Sequence, residues 1–340
     1  MIFRILIFAL LSNLFIVSCK KKDSPEAQCP DSSSLLSSFT DNSGNNIKIY
    51  SNGEAWILDD ETCSFVANYF DPLYIEKNYL ITDSVIYIRT DDGGLFRTRN
   101  VFFEDFETAN NFINLFATSI ADTGKYWTSF VLQSPLAPSV SDYVALRTCI
   151  LNGTCDFLDN RIDLIEDPAN AANKILQFTA VAPSANMVTS KCSFESALPY
   201  FPQNSDLWFE AKFNVRTNRP FSLVDFENNF FEESPGPRIV FRNNCLAVEN
   251  KFGSKINYVQ NNPIEFPTQT WVTVKIHLKF SSASNGLIQL WQNGNLILDK
   301  SGVTLPLPNS IQNSLEIGIS ATSENSILWV DDIRISDAEF

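Results

Sequence analysis

The sequence predicts an all-β chain. A two-sheet antiparallel sandwich is expected over residues 101–340, preceded by a small β-hairpin domain over residues 39–100. Three observations carry this. Long stretches alternate strictly between apolar and polar side chains, the period of a strand that buries one face. Asn-Gly, Asn-Asn and Gly-Gly pairs fall between those stretches, where tight hairpins need backbone that tolerates positive φ. Phe is abundant, at 28 of 340 residues, and helical periodicities are few, which favours packed sheets. With 44% hydrophobic and 19% charged residues the chain can build a real core.

The first residues read as an address. Arg4 is followed by an apolar run from Ile5 to Val17, then by Ser18, Cys19 and three lysines. The run is shorter than the roughly 20 residues a membrane-spanning helix needs, and fits the core of a signal peptide over residues 1–18. Ile16-Val17-Ser18-Cys19 resembles the bacterial lipobox. That resemblance implies that Cys19 is lipidated, becomes the first mature residue and holds the protein to a membrane. Lys20, standing where an Asp signals inner-membrane retention, implies the outer membrane and a place at the cell surface. Residues 19–38, with Ser, Asp and Pro over Ser24–Ser38, read as a flexible tether.

In the small domain, Asn46–Tyr50 and Ala55–Leu58 flank Ser51-Asn52-Gly53-Glu54, a hairpin signal. Ser84–Arg89 and Leu95–Arg99 flank Asp91-Asp92-Gly93-Gly94 in the same way. In the large domain, Leu207, Phe209, Ala211, Phe213 and Val215 alternate with Trp208, Glu210, Lys212, Asn214 and Arg216. Val272, Val274, Ile276, Leu278 and Phe280 alternate with Trp271, Thr273, Lys275, His277 and Lys279. Pro237–Asn243 pairs with Cys245–Glu249, and Gly286–Gln292 with Leu296–Asp299 across Asn293-Gly294. Leu315–Ser320 and Ile327–Ser336 complete the sandwich. Ile162–Ala172 is the segment expected to form a helix or a turn-rich loop.

Acidic residues outnumber basic ones 39 to 25, for a net charge of −14, which argues against a nucleic-acid partner. One His and seven Cys without a CxxC pair leave no zinc site of ordinary spacing. With Cys19 lipidated, an even set of six cysteines remains for disulfides in an exported protein. Pairing neighbours gives Cys29 with Cys63, Cys149 with Cys155, and Cys192 with Cys245.

Four stretches in order carry a family resemblance: Phe102–Glu107, Trp271–Lys279, Ile288–Gly294 and Trp329–Ile335. Together they resemble the concanavalin A-like jelly roll shared by laminin-G-like lectin modules, family-16 glucanases and several polysaccharide lyases. The resemblance implies a structural calcium near the first and last strands, with Glu104, Asp105 and Asp331 as ligands. It brings three possible activities. The glucanase needs Glu-x-Asp-x-x-Glu, which the nearest stretch, Asp225–Glu233, does not match, so that hydrolase is rejected. Asp225 and Glu227 share one side of an extended chain but lack the third member. A lyase needs a base, an acid and a partner for the substrate carboxylate, and His277, Tyr258, Gln289 and Lys255 supply those groups. A binding module needs an aromatic platform with polar and charged neighbours. Trp208, Lys212 and Arg216 share one strand face, and Trp271, Lys275 and Lys279 another. The reading preferred from sequence is an outer-membrane lipoprotein whose jelly roll binds extracellular polysaccharide. The alternatives are a polysaccharide lyase on a uronic-acid glycan and a structural or adhesive surface protein.

Overall fold

The computed structural model describes residues 35–40, 46–50, 54–59, 62–68, 79–81, 86–89, 95–118, 122, 124–228, 236–307 and 310–340. The signal peptide, Cys19, Cys29, the side chain of Cys63 and most of the tether lie outside the described residues. Among the described residues no helix is long and apolar enough to cross a membrane.

The chain separates into two units, Met1–Ala67 and Asn68–Phe340. The first holds a four-stranded sheet of β1 (Leu35–Thr40), β2 (Asn46–Tyr50), β3 (Glu54–Asp59) and β4 (Thr62–Asn68) in sequence order. Ile47 pairs with Ile57 across β2 and β3, so the expected hairpin forms. The second unit opens with a three-stranded sheet of β5 (Tyr79–Ile81), β6 (Ile86–Arg89) and β7 (Leu95–Arg97).

The sandwich itself has an eight-stranded and a seven-stranded sheet. The eight-stranded sheet comprises β8 (Phe102–Glu104), β10 (Arg161–Asp167), β11 (Asn170–Ala180), β13 (Asp206–Val215), β18 (Val272–Lys279), β19 (Gly286–Gln292), β20 (Asn295–Gly302) and β22 (Ser326–Ser336). Its order is β10-β11-β22-β13-β18-β19-β20, with β8 paired to β22. The seven-stranded sheet comprises β9 (Ser129–Val131), β12 (Ser190–Ser196), β14 (Ser222–Asn228), β15 (Pro237–Arg242), β16 (Cys245–Asn250), β17 (Asn257–Tyr258) and β21 (Gln312–Thr322). Its order is β17-β16-β15-β14-β21-β12-β9, and every named pairing in both sheets is antiparallel.

The alternation read from sequence sorts the faces. Leu207, Phe209, Ala211, Phe213 and Val215 are fully buried, as are Val272, Val274, Ile276, Leu278 and Phe280. Phe209 meets Phe226 edge to face at 5.6 Å, and Phe178 meets Phe194 likewise, so aromatic pairs tie one sheet to the other. Each such side chain contributes roughly 1.5–3 kcal/mol by leaving water. Asn243 and Asn244 (φ 50° and 64°) and Asn293 and Gly294 (φ 49° and 77°) make the two tight hairpins with the positive φ their sequences favour.

Two expectations are corrected. The stretch Ile162–Ala172 is no helix: it is the hairpin of β10 and β11, turned at Pro168, with Asp167 Oδ1 accepting from the Ala169 amide at 2.8 Å. The α-helix is instead α1 (Val140–Leu151), started by a capping box between Ser139 and Asp142. Only Leu146 and Ile150 of α1 are buried, too narrow a stripe to announce a helix by period. Cys149 and Cys155 form the expected disulfide. Cys192 and Cys245 do not pair; both are free thiols. They sit on β12 and β16, four strand spacings apart, about 19 Å, and a disulfide needs Cα atoms within about 7 Å.

Candidate active site

Because Phe194, Ile317, Phe226, Ile239 and Val248 point into the core, their strand neighbours point out of the seven-stranded sheet. The register then lines up a row across all seven strands: Ser129, Glu195, Glu316, Asp225, Arg238, Glu249 and Asn257, each opposite the next. The middle of this row is buried, with Asp225 2%, Glu316 3% and Glu249 8% exposed. Buried charges survive only when paired, and here each has a cation.

Lys251, the residue after β16, reaches back over the sheet. Its Nζ lies 2.8 Å from Asp225 Oδ1 and contacts Glu227 Oε1. Arg238 and Arg242 both hold Glu249, one on each carboxylate oxygen, and both guanidinium groups lie over the Phe221 ring, at 4.7 and 4.5 Å. At the other end Lys191 Nζ lies 3.6 Å from Glu316 Oε2, while Ser193 Oγ donates to Glu316 Oε1 at 2.6 Å. The helix α1 packs beside β9. From it Arg147 donates to Ser129 Oγ, and Tyr143 shares the field of Lys191, Glu195, Arg147 and Glu316.

This arrangement sets protonation. Burial pushes the Glu316 carboxyl up to about 7, with Asp225 and Glu195 adding repulsion that Lys191 only partly offsets. Glu316 in turn holds the Lys191 ammonium well above its ordinary range. Burial works to raise Asp225 too, but Lys251 outweighs it and holds that carboxylate low. Burial raises the Tyr143 hydroxyl, so it stays protonated. The face can therefore present cations, a carboxyl that is partly protonated and a phenol to a ligand at neutral pH.

A model of the family described as "Polysaccharide lyase" matches residues 165–334, half of the chain and most of both sheets. The chain belongs to the polysaccharide lyase family. Among solved structures, this lyase-family chain is similar to an endo-β-1,4-glucuronan lyase from the fungus Trichoderma reesei, at 11% identity and TM-score 0.45, over 53% of this chain and 88% of that one. It is similar to the alginate lyase vAL-1 from Chlorella virus, at 11% identity and TM-score 0.40, over 53% and 90%. It is also similar to the family 7 alginate lyase A1-II′, at 12% identity and TM-score 0.41, over 63% and 94%. No curated protein matches it.

The residues singled out from sequence fall elsewhere on this lyase-family fold. His277 projects from the outer face of the eight-stranded sheet, 8% exposed. Its Nε2 is 2.8 Å from Asp206 Oδ1 and its Nδ1 3.1 Å from Gln289 Oε1. Tyr258 belongs to the other sheet, so the structure joins Gln289 to His277 but not Tyr258. A Cβ on Gly302 would lie 2.2 Å from the Tyr258 hydroxyl, which fills that space. Lys255 is exposed in the loop before β17.

The glycan-binding set does share one surface, since β13 and β18 are neighbours in the eight-stranded sheet. Trp208 is 8% exposed, covered by the His277 ring. Lys275 Nζ lies 4.8 Å from the Trp208 ring and donates to the Phe340 carbonyl at 3.1 Å. Lys212 is paired to Asp332, Lys279 is exposed, and Arg216 lies over Trp329 at 4.0 Å.

Glu104, Asp105 and Asp331 do not converge as a calcium set. Glu104 and Asp105 accept from the amides of Phe106 and Glu107 at 2.9 and 3.2 Å, and Asp331 from Asn173 and the Asp332 amide at 3.1 and 2.8 Å. Among the described residues, the carboxylates that approach within 4.8 Å of one another as a trio are Asp225, Glu227 and Glu316, and the Lys251 ammonium already bridges the first two. Sequence reasoning noticed Asp225 and Glu227 as sharing one side. It missed Lys191, Glu195 and Glu316, although the alternation Ser190-Lys-Cys-Ser-Phe-Glu-Ser196 marks the first two as an outward pair.

Proposed function

We propose that this protein is a lyase that cleaves a uronic-acid polysaccharide by β-elimination on the outer face of the seven-stranded sheet. The observation that carries the reading is the grouping of Lys191, Arg147 and Tyr143 beside Glu316 and Glu195 at one end of the charged row. In the elimination the C5 proton leaves to a base, its electron pair forms the C4–C5 double bond, and the C4–O4 bond breaks as O4 takes a proton. In this reading Arg147 and Lys191 take the C6 carboxylate, whose charge grows as C5 is deprotonated. Glu195, whose carboxyl burial also raises, is the base. Tyr143, kept protonated, donates to O4. Five cations (Arg147, Lys191, Arg238, Arg242 and Lys251) lie on this face and match its carboxylates Glu195, Glu316, Asp225, Glu227 and Glu249, so the face is spared the chain's net acidic excess.

The test is incubation with uronate polymers, following the ultraviolet absorbance of the new C4–C5 double bond. Wild-type protein should produce it, and Lys191→Ala and Tyr143→Phe should lose it. Silence with every uronate polymer ends the reading. One observation favours binding without cleavage: the lysines of the face are each held by a carboxylate, and the chain's one His lies on the other sheet. Retained oligosaccharide binding with no double bond would select it.

The lipobox-like Ile16–Cys19 supports delivery to the outer membrane with anchoring through Cys19. Palmitate labelling lost in Cys19→Ser tests that.

A further inference from the structure

The outer face of the eight-stranded sheet carries a second cluster that the proposed reaction does not use. Register places Gln177, Trp329 and Asn214 in one row across β11, β22 and β13. Trp271 comes next, one residue beyond the pairing of Phe213 with Val272. The indoles of Trp271 and Trp329 thus flank Asn214, with ring centroids 6.3 Å apart and planes tilted by 40°. Both are half-buried, so each keeps surface open to solvent.

Four polar groups here lack the partners their chemistry asks for. The Arg216 guanidinium stacks on Trp329 at 4.0 Å, yet has no carboxylate or other hydrogen-bond acceptor among the described residues. Trp271 Nε1 has no acceptor among them either. Gln177 accepts from Trp329 Nε1 at 2.9 Å, and its amide donors have no described acceptor. Asn214 is 3% exposed, and its buried Oδ1 has no donor. Buried acceptors without donors are rare in folded proteins and call for an explanation. By contrast Lys212, on the same strand, is already neutralised by Asp332.

We propose that Arg216, Trp271, Trp329, Gln177 and Asn214 form a second, non-catalytic site for one uronate unit of an acidic polysaccharide. An Arg held flat on an indole keeps its fork of donors ordered for a carboxylate, where Lys offers only a point charge. The free edge and face of Trp271 suit the apolar side of a pyranose. If the two indoles part as the sugar binds, one of its hydroxyls supplies the donor that the buried Asn214 Oδ1 lacks. The site rests on the uronate class proposed above, but not on catalysis.

Fluorescence titration with mannuronate and glucuronate oligosaccharides tests it, with a neutral glucan as control. Arg216→Gln should weaken uronate binding about tenfold, the scale of one lost charge-assisted contact, and leave the response to neutral glucan unchanged. Arg216→Lys should recover little of the loss. Trp271→Ala should weaken binding similarly, and Arg216→Gln decides alone if that variant does not fold. Equal uronate affinity in wild type and a folded Arg216→Gln overturns the site. Arg216-dependent binding without double-bond formation sinks the lyase and keeps the site. Double-bond formation with binding indifferent to Arg216 does the reverse. No binding of either uronate by wild type overturns the site.

Discussion

The imidazole of His277 lies flat on the indole of Trp208, with ring centroids 3.9 Å apart and planes 3° from parallel. With Asp206 and Gln289 on its two nitrogens, the ring is stacked on one face and hydrogen-bonded at both nitrogens. His277→Ala should cost about 2 kcal/mol, by removing the ring packed on Trp208 and its two hydrogen bonds, measured by denaturant unfolding. If the reaction runs on the other sheet, a folded His277→Gln keeps its rate. A fall of about a hundredfold or more, the scale of a lost acid or base, would move the reacting groups to this sheet.

Lys251 makes ion pairs with both Asp225 and Glu227. Lys251→Met should lower stability by about 3–5 kcal/mol, because it leaves buried carboxylates uncompensated. Adding Asp225→Asn and Glu227→Gln should restore much of the loss, as a shift of the urea midpoint back toward wild type. A Lys251→Met midpoint equal to wild type would show that the ammonium stabilises nothing.

Burial lifts Glu316 and Glu104 to about 7 and Asp331 to about 6, from ordinary values of 4.5, 4.5 and 3.8. The native state therefore binds these protons more tightly than the unfolded chain. Their contribution is present in full below the ordinary values and is lost as pH rises through 6 to 7. Stability should thus decline from about pH 5 to about pH 8, and Glu316→Gln should flatten part of that slope. Asp225, held low, acts in the opposite sense and is lost only in stronger acid. A wild-type unfolding midpoint that rises across this window contradicts the assignment.

Gly318 interrupts β21 with φ 123°, and a Cβ there would meet the Phe178 ring at 2.8 Å and the Cys192 carbonyl at 3.0 Å. Gly318→Ala should cost about 2 kcal/mol or more, since backbone and ring must both move. An unchanged thermal midpoint would rule out that crowding.

Strands β13 and β18 were legible because each carries its own alternation, and the hairpins at Asn243 and Asn293 because their turn residues are local signals. The helix α1 hid because Ser139 and Asp142 cap it while only two of its side chains reach the core. The hairpin of β10 and β11 hid behind a run of Ala and Asn that carries no period. The charged row was illegible for a different reason. It joins residues from Ser129 to Glu316 through pairings between distant strands, and only the register of the whole sheet makes Glu316 the neighbour of both Glu195 and Asp225. Local pattern says that a side chain points outward, not which sheet it leaves or whom it meets there.

The paired phenylalanines that weld the two sheets also keep the two proposed binding faces on opposite flanks. Lys191 belongs to one sheet and Arg216 follows a strand of the other, and packed sheets lie about 10 Å apart at the backbone. A single straight sugar strand cannot lie along both flanks without bending round a rim. If both faces bind as proposed, two strands are gripped at once, one per flank, and each molecule would staple neighbouring fibres.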